Sequence, residues 1–141
     1  MTDVTKPDLT KTLRVSTSGM DAQSARLRVI AENLANQDST GSAPGAAAFR
    51  RKTITFESKL DAAVGAETVR VKRIGLDQSE APLRFDPSHP AANADGYVKL
   101  PNVNSFVEMM DMREAERSYN ANLAVMQATR AMLNRTIEML K

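Results

Sequence analysis

The sequence predicts a mainly α-helical chain with a small β-rich insertion, and three observations carry that expectation. Apolar residues recur every seven positions near both ends of the 141-residue chain. Between those ends the alternation changes to a period of two. Large rings that normally fill a globular core are scarce, with 4% aromatics and no Trp, whereas Met is raised to 8. The terminal segments, 1–40 and 102–141, are expected to pair as an antiparallel coiled coil. Residues 41–101 form the insertion of short strands and extended loops.

The first helix is predicted over 9–36. Leu13, Met20, Leu27 and Leu34 form its heptad row, Ile30 fills the intermediate position, and Ser16 and Gln23 leave that position polar. Gly19 is unfavourable inside a helix. It is either a tolerated weak point or a place where a neighbouring backbone comes close. Residues 37–45 are rich in loop formers and end the helix. Ala46 to Ala48 suit a helical turn or more loop equally well. Residues 53–56 and 68–72 alternate and read as short half-buried strands, with a turn at 61–66. Residues 75–95 carry Pro82, Pro87 and Pro90 and are expected as an extended loop lying against something else.

The last helix follows Pro101, Asn102 and Asn104. Ser105 and Glu108 have the spacing of a capping box. Met112, Tyr119, Met126, Leu133 and Leu140 form its heptad row, and Met109, Leu123 and Ile137 occupy neighbouring positions. At 1.5 Å per residue the two helices would be roughly 40 and 50 Å long. Two helices alone bury little, so the seam invites packing against other copies or related chains. The bland alternative is a helical bundle closed by the middle segment.

Several chemistries find no support. There is no Cys and only one His, which leaves no thiol nucleophile, disulfide framework or His-rich metal site. Ser88-His89-Pro90 lies near Asp86, but no nucleophile-elbow motif accompanies it. Asp111, Glu114 and Glu116 form an acidic helix patch rather than a protected catalytic pair. No catalytic residue, metal or cofactor is expected. Arg50-Arg51-Lys52 and Arg70, Lys72 and Arg73 would form one basic surface if the strands pair. A net charge of only +2 argues against nucleic acid. The charge is uneven: residues 1–74 hold 12 basic and 8 acidic groups, and residues 75–141 hold 7 and 9. Such halves suit docking between subunits. No apolar run reaches the ~18 residues of a membrane span. The polar stretch from Met1 to Thr12 lacks the apolar stretch of a cleaved signal peptide.

The assembled motifs resemble a known family. Ser18-Gly19-Met20-Asp21-Ala22-Gln23, then Arg26-Leu27 and Asn33-Leu34-Ala35-Asn36, is similar to the N-terminal signature of bacterial flagellar rod and hook axial proteins. Asp86-Pro87-Ser88-His89-Pro90, Ala92-Asn93-Ala94-Asp95-Gly96-Tyr97-Val98 and Pro101-Asn102-Val103-Asn104 narrow the resemblance to short proximal rod members. Glu114-Ala115 and Arg117-Ser118-Tyr119-Asn120-Ala121-Asn122 agree with them. The likeness covers about 13–140 and is weak over 57–85. Residues 41–48 are Ala-rich and lack the aromatic commonly found before the basic pair, unless Phe49 takes that place.

The resemblance implies a structural subunit of the flagellar basal-body rod, the drive shaft that transmits torque and encloses the export channel. It implies export by the flagellar type III apparatus without a cleaved signal, and a place in the periplasmic space. Implied partners are copies of itself, other rod subunits, and rod-base and export-gate junction proteins. The terminal helices would be poorly ordered before assembly and gain partners by docking. Residues 76–104, with Asp86, Pro87, His89, Pro90, Gly96 and Tyr97, are the expected lock onto a neighbouring subunit. Two readings of other classes compete: a cytoplasmic helical-hairpin export chaperone, and a nucleic-acid module using the basic strands. Distal rod and hook proteins are longer, which argues against them.

Overall fold

The computed structural model describes residues 8–141. Of the polar stretch from Met1 to Thr12, the first seven residues lie outside them. Helix α1 spans Leu9–Ala35 and helix α2 spans Ser105–Met139. Between them come strands β1 (Lys52–Asp61), β2 (Ala66–Leu76), β3 (Leu83–Phe85) and β4 (Tyr97–Lys99). The helices run antiparallel. Asn33 meets Glu108 at one end, Arg26 meets Asp111, and Gly19 lies against Asn122. On that alignment Leu9 sits near Met132, so the last turns of α2 run past α1. Residues 130–139 are exposed throughout.

Asp8 caps α1 by accepting from the Lys11 amide. The cap of α2 differs from the capping box expected at Ser105. Asn104 is the N-cap, and its Oδ1 accepts from the amides of Phe106 and Val107. Ser105 is already the first helical residue. Glu108 therefore falls one position beyond capping reach and turns inward.

Strands β1 and β2 form an antiparallel hairpin with a register shift between Thr55 and Phe56. They extend the expected strands by several residues, and Gly65 closes their turn at φ +63°. This hairpin packs on α1, where Ser18 Oγ accepts from the Val69 amide and Arg14 pairs with Asp61 at 3.0 Å. Ala46 to Ala48 continue the loop and form no helical turn. The segment expected as a continuous loop contains β3, which pairs antiparallel with β4. The short apolar alternation Leu83-Arg84-Phe85 was hidden among its prolines.

Among the described residues the apolar core is small: Ala22, Val29, Ile30, Val98 and Ala115. Eighteen large apolar side chains of the described residues are exposed. The intramolecular seam is also more polar than the heptads suggest. Glu108, Ala115 and Thr129 are buried at seven-residue intervals, with half-buried Asn122 completing the row. They face a stripe of α1 that buries Ser16 and Asn33 beside Ile30. Leu13, Met20, Leu27 and Leu34 are only half-buried.

Gly19 is a close approach, but to a side chain rather than a backbone. A Cβ there would stand 2.8 Å from Asn122 Nδ2. Gly19→Ala gains about 1 kcal/mol of helix propensity, offset by displacing that amide. In an Asn122→Ala background the offset disappears. Gly19→Ala should then stabilise by about 1 kcal/mol in urea unfolding followed by far-UV circular dichroism. No gain there would mean that Asn122 is not what demands glycine.

Candidate assembly interface

A polar joint holds the middle segment to the paired helices. Glu108 is fully buried. Its Oε1 accepts from Arg51 Nε and its Oε2 accepts from Asn33 Nδ2 at 3.2 Å. Arg51 also faces Asp77 at 3.7 Å and Asp111 at 3.6 Å, and Asp111 meets Arg26 at 3.5 Å. Asn33 uses its carboxamide as a strand would use a peptide. Its Oδ1 accepts from the Lys52 amide at 2.8 Å, and its Nδ2 donates to the Lys52 carbonyl at 2.9 Å. Asn102 does the same work one residue earlier, accepting from the Arg51 amide at 2.8 Å and donating to Asp77 O at 3.1 Å. Beside it Pro101 is buried.

Asn33, Asn102 and Asn104, singled out from sequence motifs, thus converge on the entrance to β1 and the start of α2. Asn36 closes the end of α1 by donating to Glu32 O at 2.8 Å and accepting from Ser39 Oγ at 3.1 Å. Ser18 donates to Val15 O and supports β2, as described above. Asn122 donates to Ser118 O, and Glu114 reaches Arg26 at 3.6 Å from an exposed position. The sequence reading missed Arg51 and Glu108 as partners. By local spacing alone Glu108 is a cap residue and Arg51 part of a basic strand face. The basic surface is reduced to Arg50, Lys72 and Arg73, which stay exposed. Arg51 turns inward, Lys52 pairs with Glu32 at 2.6 Å, and Arg70 pairs with Glu57.

Four carboxylates along this fold sit below their ordinary pKa. Lys52 lowers Glu32, Arg14 with the Ala63 amide lowers Asp61, and the Ser79 amide and hydroxyl with Arg51 lower Asp77. Asp86 is lowered by Ser88 and then by Arg84. A lowered pKa means that the unfolded chain takes up protons first as pH falls. The stabilisation is present above the unfolded values and is lost on acidification through the folded ones. The melting temperature should therefore fall between about pH 5 and pH 3, with amide exchange in β1 and β2 accelerating. An unchanged melting temperature over that range would contradict this.

The Pro-rich loop is tied back to the end of α1. His89 Nδ1 accepts from the Ala91 amide at 3.0 Å, so the neutral ring carries its proton on Nε2, 3.2 Å from Thr40 Oγ1. Ser88 Oγ donates to Asp86 Oδ1 at 2.8 Å rather than to the imidazole. The three side chains form turn contacts, not a proton relay. The Asp86 amide donates to Gly96 O at 2.9 Å, and Gly96, at φ +82°, leaves room for the Phe85 ring and Pro87. A Cβ on Gly96 would stand 2.9 Å from that ring. Tyr97 meets Phe85 edge-on at 5.3 Å. Pro87 and Pro90 are exposed on this loop.

The other predicted site residues lie along the helices. Ile30 is buried, and Met112, Tyr119, Leu123 and Met126 are half-buried. Leu133, Ile137 and Leu140 are exposed, with neighbouring Met132 and Met139. A small polar seam thus packs inside the chain, and an apolar row is left exposed beside it.

Comparison with known proteins gives this geometry a context. A family described as flagella basal body rod protein matches 13–41, which covers most of α1. A family described as flagellar basal body rod FlgEFG protein C-terminal matches 94–139, covering β4 and α2. A relative from Agrobacterium fabrum, flagellar basal-body rod protein FlgC, is 51% identical over 128 residues, covering 91% of this chain and 92% of the relative. The chain belongs to the FlgC family of flagellar basal-body rod proteins. The FlgC of Salmonella typhimurium is 41% identical over 87% of this chain and 91% of its own length. That of Bacillus subtilis is 36% identical over 89% and 94%. The two family matches flank the middle segment. In this FlgC-family chain the polar joint is where the two matched helices and the unmatched segment meet. No helix among the described residues is long and apolar enough to cross a membrane.

Proposed function

We propose that this chain is a structural subunit of the flagellar basal-body rod that polymerises through its terminal helices. The observation that carries the proposal is the apolar row left uncovered along α2 in a chain of this family. Leu13, Met20, Leu27 and Leu34 on α1 and Met112, Tyr119, Leu123, Met126, Leu133, Ile137 and Leu140 on α2 are its assembly residues. In this reading 1–40 and 102–141 act as one paired-helix unit, and 41–101 acts as an insertion held to it by the polar joint.

Contacts between unlike faces of neighbouring subunits propagate as an open helical array, which suits a shaft. Torque is shared among many small side-by-side contacts, and the stacked helices enclose the channel. Partners are other copies, other rod subunits, and the junction proteins at the rod base and export gate. Residues 76–104 lock onto a neighbour. The chain leaves the cell through the flagellar type III apparatus and works in the periplasmic space. The role is mechanical rather than enzymatic.

Mass spectrometry of purified hook–basal bodies, beside a cytosolic fraction from the same cells, tests this. Enrichment with the other rod subunits is expected. A protein confined to the cytosol of cells with complete basal bodies would reject the rod role and favour an export chaperone.

A further inference from the structure

Two exposed apolar faces lie outside the helix seam. The first is the outer face of the β3–β4 sheet. In its antiparallel register Leu83 opposes Lys99 and Phe85 opposes Tyr97. Side chains alternate along each strand, so these four share one face. Val98 points the other way and is fully buried, whereas Leu83 and Phe85 are 60% and 63% exposed. Beside Tyr97 and Lys99 the face runs into an open cavity of about 400 Å³, walled by Ala46 to Arg50. It has room for one large side chain.

The second is the outer face of α2 near its start. Phe106, Met109 and Met110 are more than half exposed. Arg113 and Arg117 continue the same face at helical spacing. This face lies opposite Glu108, Ala115 and Thr129, the row that packs on α1. Neither Arg113 nor Arg117 belongs to an ion pair found among the described residues.

The exposed charges left without ion-pair partners beside the two faces differ in sign: Glu80 and Asp95 outnumber Lys99 at the sheet, and Arg113 and Arg117 outnumber the flanking Glu116 at the helix. Glu80 and Asp95 flank the β3–β4 sheet, are exposed, and have no ion-pair partner among the described residues. The two faces are also complementary in shape and chemistry. One is a flat aromatic surface beside a cavity, and the other is a convex helix bearing flexible Met side chains, whose sulfurs favour aromatic edges.

From this pairing we infer that the outer face of the β3–β4 sheet of one subunit receives the Phe106–Met109–Met110 face of a second copy. The inference rests on the rod reading and gives it a named lateral contact. Because the two faces differ, each copy offers one of each, and the contact repeats without closing. Arg113 and Arg117 of the helix then lie toward Glu80 and Asp95 of the sheet lobe. The few side chains named on each face fall short of the roughly 20–30 residues a side of a stable pair. The contact operates through repetition in the array rather than as a free dimer.

The chain has no Cys, so introduced thiols report without background. Leu83→Cys and Met110→Cys, together in one full-length chain replacing the native copy, are treated in isolated basal bodies with a short bismaleimide. Dimers and higher multiples are expected from the double variant and none from either single variant. Basal bodies that contain the double variant but give no multiples would overturn the inference. So would cross-linking exclusively to a different axial protein. Absence of the wild-type chain from basal bodies would instead overturn the rod reading. If the double variant fails to assemble, charge exchange decides. Arg113→Glu with Arg117→Glu should shrink swim rings, and adding Glu80→Arg with Asp95→Arg should restore them. A loss that the exchange does not repair would refute the pairing.

Discussion

Arg51→Met will cost more stability than Glu108→Gln, although both substitutions break the same contact. Removing the guanidinium leaves the Glu108 carboxylate fully buried with only the Asn33 amide as donor. Stranding a buried charge this way costs about 3–5 kcal/mol. Glu108→Gln removes the charge instead. Its carboxamide oxygen still accepts a hydrogen bond, and Arg51 keeps Asp77 and Asp111 within 3.7 Å. Arg51 is also partly solvated, with a side chain 24% exposed, so a loss of about 1–2 kcal/mol is expected there.

Replacing both together, Arg51→Met with Glu108→Leu, should recover most of the larger loss, because no charge remains buried. Urea unfolding of the three variants measures the order. The middle segment should loosen first in Arg51→Met, seen as faster amide exchange in β1. A change within about 0.5 kcal/mol for Arg51→Met, the range of ordinary surface substitutions, would show that the joint does not hold the fold together.

The same joint marks how far the sequence could be read. Both helices were legible because their signals are local: heptad spacing, a polar cap, and no Gly or Pro after Asn104 until the chain's last residue. The β1–β2 hairpin was legible for the same reason, through its alternation and turn. Glu108 was not, because its spacing from Ser105 satisfies a local rule that the structure resolves differently. Asn104 takes the cap, and Glu108 takes a partner 57 residues earlier in the chain.

Contacts that distant leave no periodic trace in one sequence. Neither does the choice of seam. The heptad of large apolar residues is the obvious row, yet the packed row is Glu108, Ala115, Asn122 and Thr129, one residue of which is apolar. Small side chains let the helices approach, and Gly19 against Asn122 is one instance. The motif asparagines were read as family markers. Their physical role, replacing strand partners for Arg51 and Lys52, emerges only when loop and helix are seen together.

Leu133→Asp should abolish swimming while leaving the free subunit almost unchanged, and the contrast between those two results is what makes it informative. In the single chain Leu133 is 37% exposed on the part of α2 that extends past α1. A polar residue there costs the monomer about 0.5 kcal/mol or less. If the row packs in the rod as proposed, the same side chain is covered by neighbours. The substitution then forfeits the burial of a Leu, about 1.5–3 kcal/mol, and adds the larger cost of desolvating a carboxylate. That penalty applies at every copy, so assembly fails even though folding does not. The melting temperature and far-UV spectrum of the purified variant should match wild type, with swim rings absent at native protein level. Normal swimming would show that this row does not pack in the rod. A collapsed melting temperature would show instead that Leu133 stabilises the subunit itself, and the uncovered row would lose its meaning as an assembly surface.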